Sequence, residues 1–209
     1  MGQQRLQKAI RAFDGGRVSV EWKPYMIDPG THKDGEDMEA YCRRRWGSSG
    51  WTRNLRTQGK HDGANFANWK WWPHTLKAHQ TILYAKDRYG IDTSKSKQAL
   101  FEALYEEGEN ISLVDTLVRV ARDKLGIPPQ ENDDDDDDDD DGLRQHLETN
   151  QGAQQVQREI ELGRKTYRIS GVPFFIIDGQ AVAKPYAMSG AQDPQTFLEV
   201  FQEVSGQQS

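Results

Sequence analysis

Apolar residues at the start of the chain recur with the spacing of an amphipathic helix. They lie three or four positions apart and are followed by a pair of glycines: Leu6, Ala9, Ile10, Phe13, Gly15 and Gly16. The pattern predicts a helix that ends at the glycine pair. The next segment, residues 18–24, is apolar at alternate positions, which predicts a β-strand. A helix followed at once by a strand is typical of an α/β unit.

The middle of the chain, from residue 34 to residue 127, has its apolar residues almost entirely at helical spacing. Helices are predicted over residues 38–45, 75–88 and 97–107. Ser112 and Asp115 have the spacing of a capping box, which predicts that a further helix begins at Ser112. Gly126 and the two prolines that come shortly after it predict where this helix ends.

Nine consecutive aspartates then occupy residues 133–141. Like charges repel one another and such a segment buries nothing, so we predict a disordered, solvated loop over residues 131–150. A calcium-binding loop of the EF-hand kind is the alternative interpretation. It needs ligands spaced by a defined turn, which a run of one residue type lacks.

The C-terminal part predicts a second α/β segment. Residues 153–167 have apolar positions at steps of three and four, which indicates a long amphipathic helix. Residues 171–179 are typical of a buried strand that runs into a turn, and residues 180–189 can supply its hairpin partner. Asp193 followed by Pro194 predicts the start of a last helix.

Charge and cysteine content restrict the class of protein. The 209 residues carry a formal net charge of -6, and without the aspartate run the remainder is mildly basic. This balance argues against a nucleic-acid-binding protein overall. Cys42 is the single cysteine of the sequence, which excludes a disulfide framework, a Cys-rich zinc site and an intramolecular dithiol–disulfide cycle. The histidines lack ligand spacing, so no metal site is predicted.

Targeting and membrane signals are not evident. No apolar stretch reaches the ~20 residues that a membrane span needs, and the N-terminus lacks the apolar region of a secretory signal. We therefore expect a soluble protein, cytoplasmic by default, with no membrane and no nucleic-acid partner; the oligomeric state stays open. Five tryptophans are interleaved with basic residues between positions 46 and 72, which could suit single-stranded nucleic acid, but packing and a pocket wall are the favoured interpretation.

Four stretches, in this order along the chain, resemble DsbA-like thioredoxin-fold proteins. They are VEWKPY at residues 20–25 with the Asp-Pro pair that follows, the Thr-x-x-Ala-His motif at 75–79, LFEALYEEGENIS at 100–112, and GVPFFI at 171–176 followed by SGAQ at 189–192. The closest group is the FrnE-like one, which is related to 2-hydroxychromene-2-carboxylate isomerases and kappa-class glutathione transferases. The resemblance covers nearly the whole chain apart from the aspartate run.

The resemblance implies an α/β thioredoxin-like fold interrupted by an all-helical lobe. The expected parts are residues 1–30 and 151–209 for the thioredoxin-like domain, 31–130 for the lobe and 131–150 for the acidic loop. In that family the first strand ends in a Cys-x-x-Cys turn, and residues 1–6 resemble the residues directly after it. We therefore expect the first strand and both catalytic thiols to be missing, through a truncated gene model or a downstream start, and we expect no catalytic residue in this chain.

The resemblance also suggests site residues. Val172 and Pro173 resemble the family's cis-proline loop, whose backbone binds an extended substrate or glutathione; the plainer interpretation is a proline at a strand entry. His79 and Trp72 are candidates for the border of the active cleft, although a satisfied core histidine is the favoured role of His79. Cys42 precedes three arginines, which would favour a thiolate, but a small structural residue within a helix is the favoured interpretation.

Three functions stay open at this point. The first is a thiol–disulfide oxidoreductase by descent, with a protein or a small-molecule thiol or disulfide as its substrate. The second is a glutathione-linked isomerase or transferase, for which glutathione would be a substrate and no separate cofactor is expected. The third is a non-catalytic binding domain that keeps the groove at Pro173.

Overall fold

A computed structural model describes residues 1–128 and 142–207, so the aspartate run at 133–141 lies outside the described residues. The helices within them are α1 (Gly2–Ala12), α2 (Met38–Trp46), α3 (Trp51–Asp62), α4 (Leu76–Tyr89), α5 (Thr93–Phe101), α6 (Val114–Val120), α7 (Gly142–Glu148), α8 (Ala153–Thr166) and α9 (Pro194–Ser205). The strands are β1 (Glu36–Asp37), β2 (Trp71–Trp72), β3 (Phe174–Ile177) and β4 (Tyr186–Ser189). Single π-helical turns continue α5 and α6, at Glu102–Glu106 and Ala121–Leu125.

The chain divides into two compact units. The first consists of Met1–Val20, Thr52–Asn65 and Tyr167–Ser209, and the second of Glu21–Trp51 and Phe66–Thr166. These groups differ from the predicted boundaries, because most of α3 joins the first unit while α7 and α8 join the second. The acidic loop was predicted to reach residue 150, but α7 begins at Gly142 and buries Leu143 and Leu147. Its two leucines supply the apolar surface that the aspartates lack.

The first unit is built around α1, α9 and the β3–β4 hairpin. The strands pair antiparallel, with Phe174 opposite Ser189 and Ile177 opposite Tyr186. Aromatic rings form its core, through the contacts of Phe13 with Phe201 and of Phe175 with Phe197 at centroid distances of 5.5 and 4.9 Å. The hairpin prediction and the start of α9 are confirmed: Asp193 caps α9 by accepting from the Gln195 amide, and Pro194 occupies its first turn.

The second unit is helical, as predicted for the middle of the chain. Its central helix is α4, which is buried along most of its length from Ala78 to Ala85. Helix α8 packs on it through Val156 and Ile160, which form one apolar cluster with Leu83 and Met26. The predicted helices at 38–45, 75–88 and 153–167 are present with ends shifted by a residue or two. Gly126 ends the α6 segment in a left-handed conformation, as predicted.

Residues 18–24 do not form the predicted strand. The strand ladders of the described residues join β1 to β2 and β3 to β4. Within this segment the Trp22 amide donates instead to the Thr93 hydroxyl at 3.0 Å, and the Trp22 indole donates to the Ser94 hydroxyl at 3.1 Å. Alternating apolar positions indicate two different faces, but a strand also needs a neighbouring backbone, which the pattern does not contain.

The predicted capping box at Ser112 is also wrong. Helix α6 begins at Val114 with Leu113 at the N-cap position and without a side-chain cap. The Ser112 hydroxyl accepts a hydrogen bond from the backbone amide of His74 at 2.9 Å instead. The side chain therefore stabilises a loop far away in sequence, a competing use of the same oxygen.

Candidate functional site

The loop formed by Val172 and Pro173 lies against the first turn of α1, within the first unit. The peptide bond between the two residues is cis. Gly2 faces the proline so closely that a Cβ on it would stand 2.8 Å from Pro173 Cγ and 3.6 Å from Phe175 Cζ. Glycine is needed here because any side chain would displace the proline ring. The contact places the two predicted substrate-binding residues at the N-terminus of a helix.

Val172 is the exposed member of this loop, with 45% of its surface accessible to solvent. The loop is fixed to the turn after β4 by a hydrogen bond, in which the Gly190 amide donates to the Pro173 carbonyl at 2.8 Å. Gly190 has a φ of +85°, a conformation that favours glycine. The side-chain amide of Gln192 donates to the Ser189 carbonyl at 2.5 Å and closes the turn. Val172 is thus an apolar, accessible residue on a braced loop.

Arg5 connects α1 to the same turn. Its Nε donates to Asp62 Oδ2 of α3 and its Nη1 donates to the Ala191 carbonyl, both at 2.8 Å. The Asp62 side chain is only 10% exposed, so this ion pair is largely shielded from water. Shielded charges are costly unless they are paired and hydrogen-bonded, as these are. Arg5 and Asp62 were not among the predicted site residues, because nothing in their sequence positions indicates that α3 returns to α1.

The start of α1 is suited to an anion but holds no nucleophile. Backbone amides of a first helical turn favour negative charge, yet residues 1–5 are Met-Gly-Gln-Gln-Arg, without thiol, hydroxyl or carboxylate. Cys42 lies on α2 in the second unit and is fully buried, with its Sγ 3.7 Å from Met38 Sδ. Burial raises the pKa of the Cys42 thiol. This is the environment of a structural cysteine rather than of a reactive one.

His79 lies on α4 and belongs to the second unit, whereas Val172 and Pro173 belong to the first. Its Nε2 lies 3.1 Å from the Tyr25 carbonyl, so the neutral ring donates a hydrogen bond there. Burial lowers the pKa of His79 to about 4, and the bond to Tyr25 opposes that shift only in part. His79 is therefore neutral at pH 7 and satisfied, the structural role that the sequence favoured.

Trp72 belongs to an aromatic cluster of the second unit. It stacks on Tyr41 with ring centroids 4.2 Å apart, and Trp46 meets both rings edge-on. The Tyr41 hydroxyl donates to the Asp28 carboxylate at 2.9 Å, which lowers the pKa of Asp28. Burial, and after it this hydrogen bond, raises the pKa of Tyr41. The rings of this group pack against one another, and Trp46 at its edge is 42% exposed. The position of Trp72 at the border of a cleft stays a prediction.

Lys97 is a titratable residue that sequence reasoning missed. It lies on α5 and is 8% exposed, with its Nζ 2.7 Å from the centroid of the Trp22 ring. Burial lowers the pKa of Lys97 to about 6. The face of the Trp22 ring acts in the opposite direction, because it attracts the charged amine. Its position in an amphipathic helix contains no signal of this burial, because the covering residue, Trp22, comes from a distant segment.

Neither a metal-binding cluster nor a membrane-spanning helix is found in the described part of the chain. Residues 1–128 and 142–207 contain no group of three or more His, Cys, Asp or Glu side chains arranged to hold a metal ion. Among the helices of the same residues, none combines the length and the apolar character that crossing a membrane requires.

Comparison with known proteins gives a consistent picture. Residues 1–202 match a family model described as the DSBA-like thioredoxin domain. Among solved structures, a protein described as a probable DsbA oxidoreductase from Streptomyces coelicolor superposes with a TM-score of 0.77 at 19% sequence identity, covering 100% of this chain and 85% of that chain. At this identity the likeness shows a shared fold. No curated protein gives a significant sequence match.

Proposed function

The chain belongs to the DsbA-like thioredoxin domain family, and from that membership we propose that its Val172–Pro173 loop binds the substrate of a thiol–disulfide exchange reaction. The substrate class is an extended peptide that carries a cysteine. Such a peptide can add its backbone to that of the loop, as strands are added at exposed edges. The observation that carries the proposal is the exposure of Val172, 45%, on a loop packed against the first turn of α1.

The residues of this chain supply binding and orientation in the proposed reaction. The first turn of α1 offers its amides to a substrate thiolate or sulfur that is held at the loop. The exchange step itself needs a nucleophilic thiol, and the single thiol of the sequence, Cys42, is buried in the other unit. We therefore expect the 209-residue chain to bind substrate without catalysing disulfide reduction.

Binding of a peptide tests this proposal directly. The probe is a fluorescein-labelled eight-residue peptide with a central S-methylcysteine, titrated with the full chain and followed by anisotropy. Val172→Pro removes the backbone donor of the loop and should abolish binding, whereas Val172→Ala keeps the donor and should retain most of it. Thermal unfolding of each variant shows whether a loss of binding is caused by a loss of the fold. Peptide binding that is unchanged by Val172→Pro as well as by Val172→Ala contradicts the proposal.

Glutathione provides the competing interpretation within the same experiment. A glutathione-linked isomerase or transferase would bind S-methylglutathione and ignore the peptide, and calorimetry distinguishes the two. An insulin-reduction assay with dithiothreitol completes the test, with no acceleration expected from the chain and no effect expected from Cys42→Ser. Reduction that depends on Cys42 would contradict the assignment of that residue as structural.

A further inference from the structure

Cationic side chains gather on α1 and on the part of α3 that belongs to the same unit. Helix α1 and residues 52–62 of α3 contain six Lys or Arg side chains but only one Asp side chain. Arg5, Lys8 and Arg11 follow one flank of α1 at steps of three residues; these three form the basic stripe. The stripe starts next to the Val172–Pro173 loop, since Arg5 Nη1 donates to the Ala191 carbonyl in the turn whose Gly190 amide is hydrogen-bonded to Pro173.

Part of the positive charge on this surface is not neutralised within the described residues. Asp62 is bonded to Arg5 and lies 3.9 Å from Lys8 Nζ, while the Lys8 side chain stays 49% exposed. Arg11 is exposed, and so is Lys60 in the last turn of α3. In residues 1–128 and 142–207 neither of the two forms an ion pair. The surface therefore keeps an excess of accessible positive charge.

We infer that the basic stripe binds an acidic flank of the substrate peptide. The inference rests on the proposed function, because the stripe can contact a flank of the peptide only when the peptide is bound at the Val172–Pro173 loop. From Arg5 to Arg11 the helix rises about 9 Å, and an extended peptide covers about 3.3 Å per residue. Carboxylates within the first few residues beside the bound cysteine would face the stripe, while a basic flank would be repelled.

Two labelled ten-residue peptides test the charge preference on the full chain. Both have the same central S-methylcysteine; one carries three aspartates on each flank and the other carries asparagines there. At low ionic strength the aspartate peptide should bind about ten-fold more tightly, and the difference should shrink as salt screens the charges. Lys8→Gln with Arg11→Gln should remove most of that difference and leave the asparagine peptide unchanged.

A matched double variant controls for net charge. Arg17→Gln with Lys184→Gln removes the same charge from exposed positions of the same unit and should retain the preference. Equal binding of both peptides by the unaltered chain would overturn the inference and leave the proposed function standing. Binding of neither peptide would overturn the proposed function, and the inference with it.

Two other occupants of the stripe are distinguished in the same titrations. If the aspartate peptide binds only after residues 133–141 are changed from Asp to Asn, the chain's own acidic run is the occupant and the inference fails. If a single-stranded oligodeoxynucleotide of equal charge binds as tightly as the aspartate peptide, the surface does not select a peptide and the inference also fails. Preference for the aspartate peptide in both comparisons supports it.

Discussion

Gly2 and Pro173 approach each other more closely than a side chain on residue 2 would permit, since a Cβ there would stand 2.8 Å from Pro173 Cγ. The two residues belong to opposite ends of the sequence, and their contact holds the Val172–Pro173 loop to α1. The missing side chain at residue 2 thereby sets how deeply the loop can sit on the helix.

Gly2→Ala should therefore destabilise the protein in spite of the better helix propensity of alanine. Overpacking of this kind costs about 1–3 kcal/mol, measured as the change in the free energy of unfolding by urea. Gly171→Ala is the matched control, because a Cβ at Gly171 meets nothing within 4 Å. A neutral Gly2→Ala variant would show that the loop can move away from α1 without cost.

Asp62→Asn should release the start of α1 from α3. The substitution leaves the partly buried Arg5 without its charge partner, and we expect a loss of about 2–3 kcal/mol in the free energy of unfolding. Asp123→Asn provides the comparison, since the Arg122–Asp123 pair has side chains 59% and 51% exposed and should matter little. Equal effects of the two substitutions would mean that burial of Asp62 adds nothing.

The protein should lose stability as the pH falls from about 6.5 to about 4, partly through His79. The folded state lowers the pKa of His79 from 6.5 to about 4, so in this range the unfolded chain binds a proton that the folded protein does not. His79→Gln keeps a donor for the Tyr25 carbonyl and should reduce the loss by up to about 3 kcal/mol, measured by urea unfolding at several pH values.

Some acid sensitivity should persist in that variant. Burial also lowers the pKa values of His74 and His146, so both contribute a loss of the same sign. A His79→Gln variant whose pH dependence matches that of the unaltered chain would contradict the assignment.

Lys97→Met should stabilise the protein at neutral pH. The folded state lowers the pKa of Lys97 from 10.5 to about 6, so stability is fully present above the unfolded pKa and is lost as the pH falls through this window. Methionine has a similar shape and needs no hydration, and the expected gain is about 1 kcal/mol or more at pH 7. The advantage should disappear near pH 10.5, which chemical unfolding at both pH values can test.

The Trp22 ring provides the opposing effect. If its attraction for the ammonium group exceeds the cost of burial, Lys97→Met will be less stable than the unaltered chain at pH 7, and the prediction fails. Lys95→Met on the exposed face of α5 controls for a general effect of removing one positive charge.

Cys42 should react slowly in the folded protein. Its side chain has no accessible surface, and burial raises the pKa of the thiol. Alkylation with iodoacetamide should be at least about 100-fold slower than for a free thiol, because it requires local opening. The same reaction in urea serves as control and should reach the free-thiol rate. A native rate equal to that of the unfolded chain would show an accessible thiol.

Local patterns predicted the parts of the fold that depend on local chemistry. The amphipathic spacing of Val156 and Ile160 correctly indicated α8, and the Asp193–Pro194 pair marked the start of α9. Gly179 and the turn that it predicts between β3 and β4 indicated the hairpin. Each of these signals lies within the element that it describes, so the neighbours in space were not needed.

The remaining features depend on partners far away in the sequence. The alternation of apolar and polar positions in residues 18–24 predicts a strand, but the Trp22 amide donates its hydrogen bond to the Thr93 hydroxyl and not to a neighbouring strand. Ser112 has the spacing of a helix cap, yet its hydroxyl oxygen accepts a hydrogen bond from the backbone amide of His74. Within the candidate site, the resemblance suggested Val172 and Pro173, which stay a prediction, whereas the Arg5–Asp62 pair arises only when α3 returns to α1.

Carbonyl groups of Tyr25 and Met26 accept hydrogen bonds from two side chains of the second unit, His79 at 3.1 Å and Arg164 at 2.9 Å. A strand would be secured by a cooperative ladder, in which many bonds break together. Here the two side-chain hydrogen bonds hold an irregular stretch of chain and can break independently of each other. Because the strand ladders of the described residues do not include this stretch, we expect its amides to exchange through a local opening while α4 and α8 stay folded.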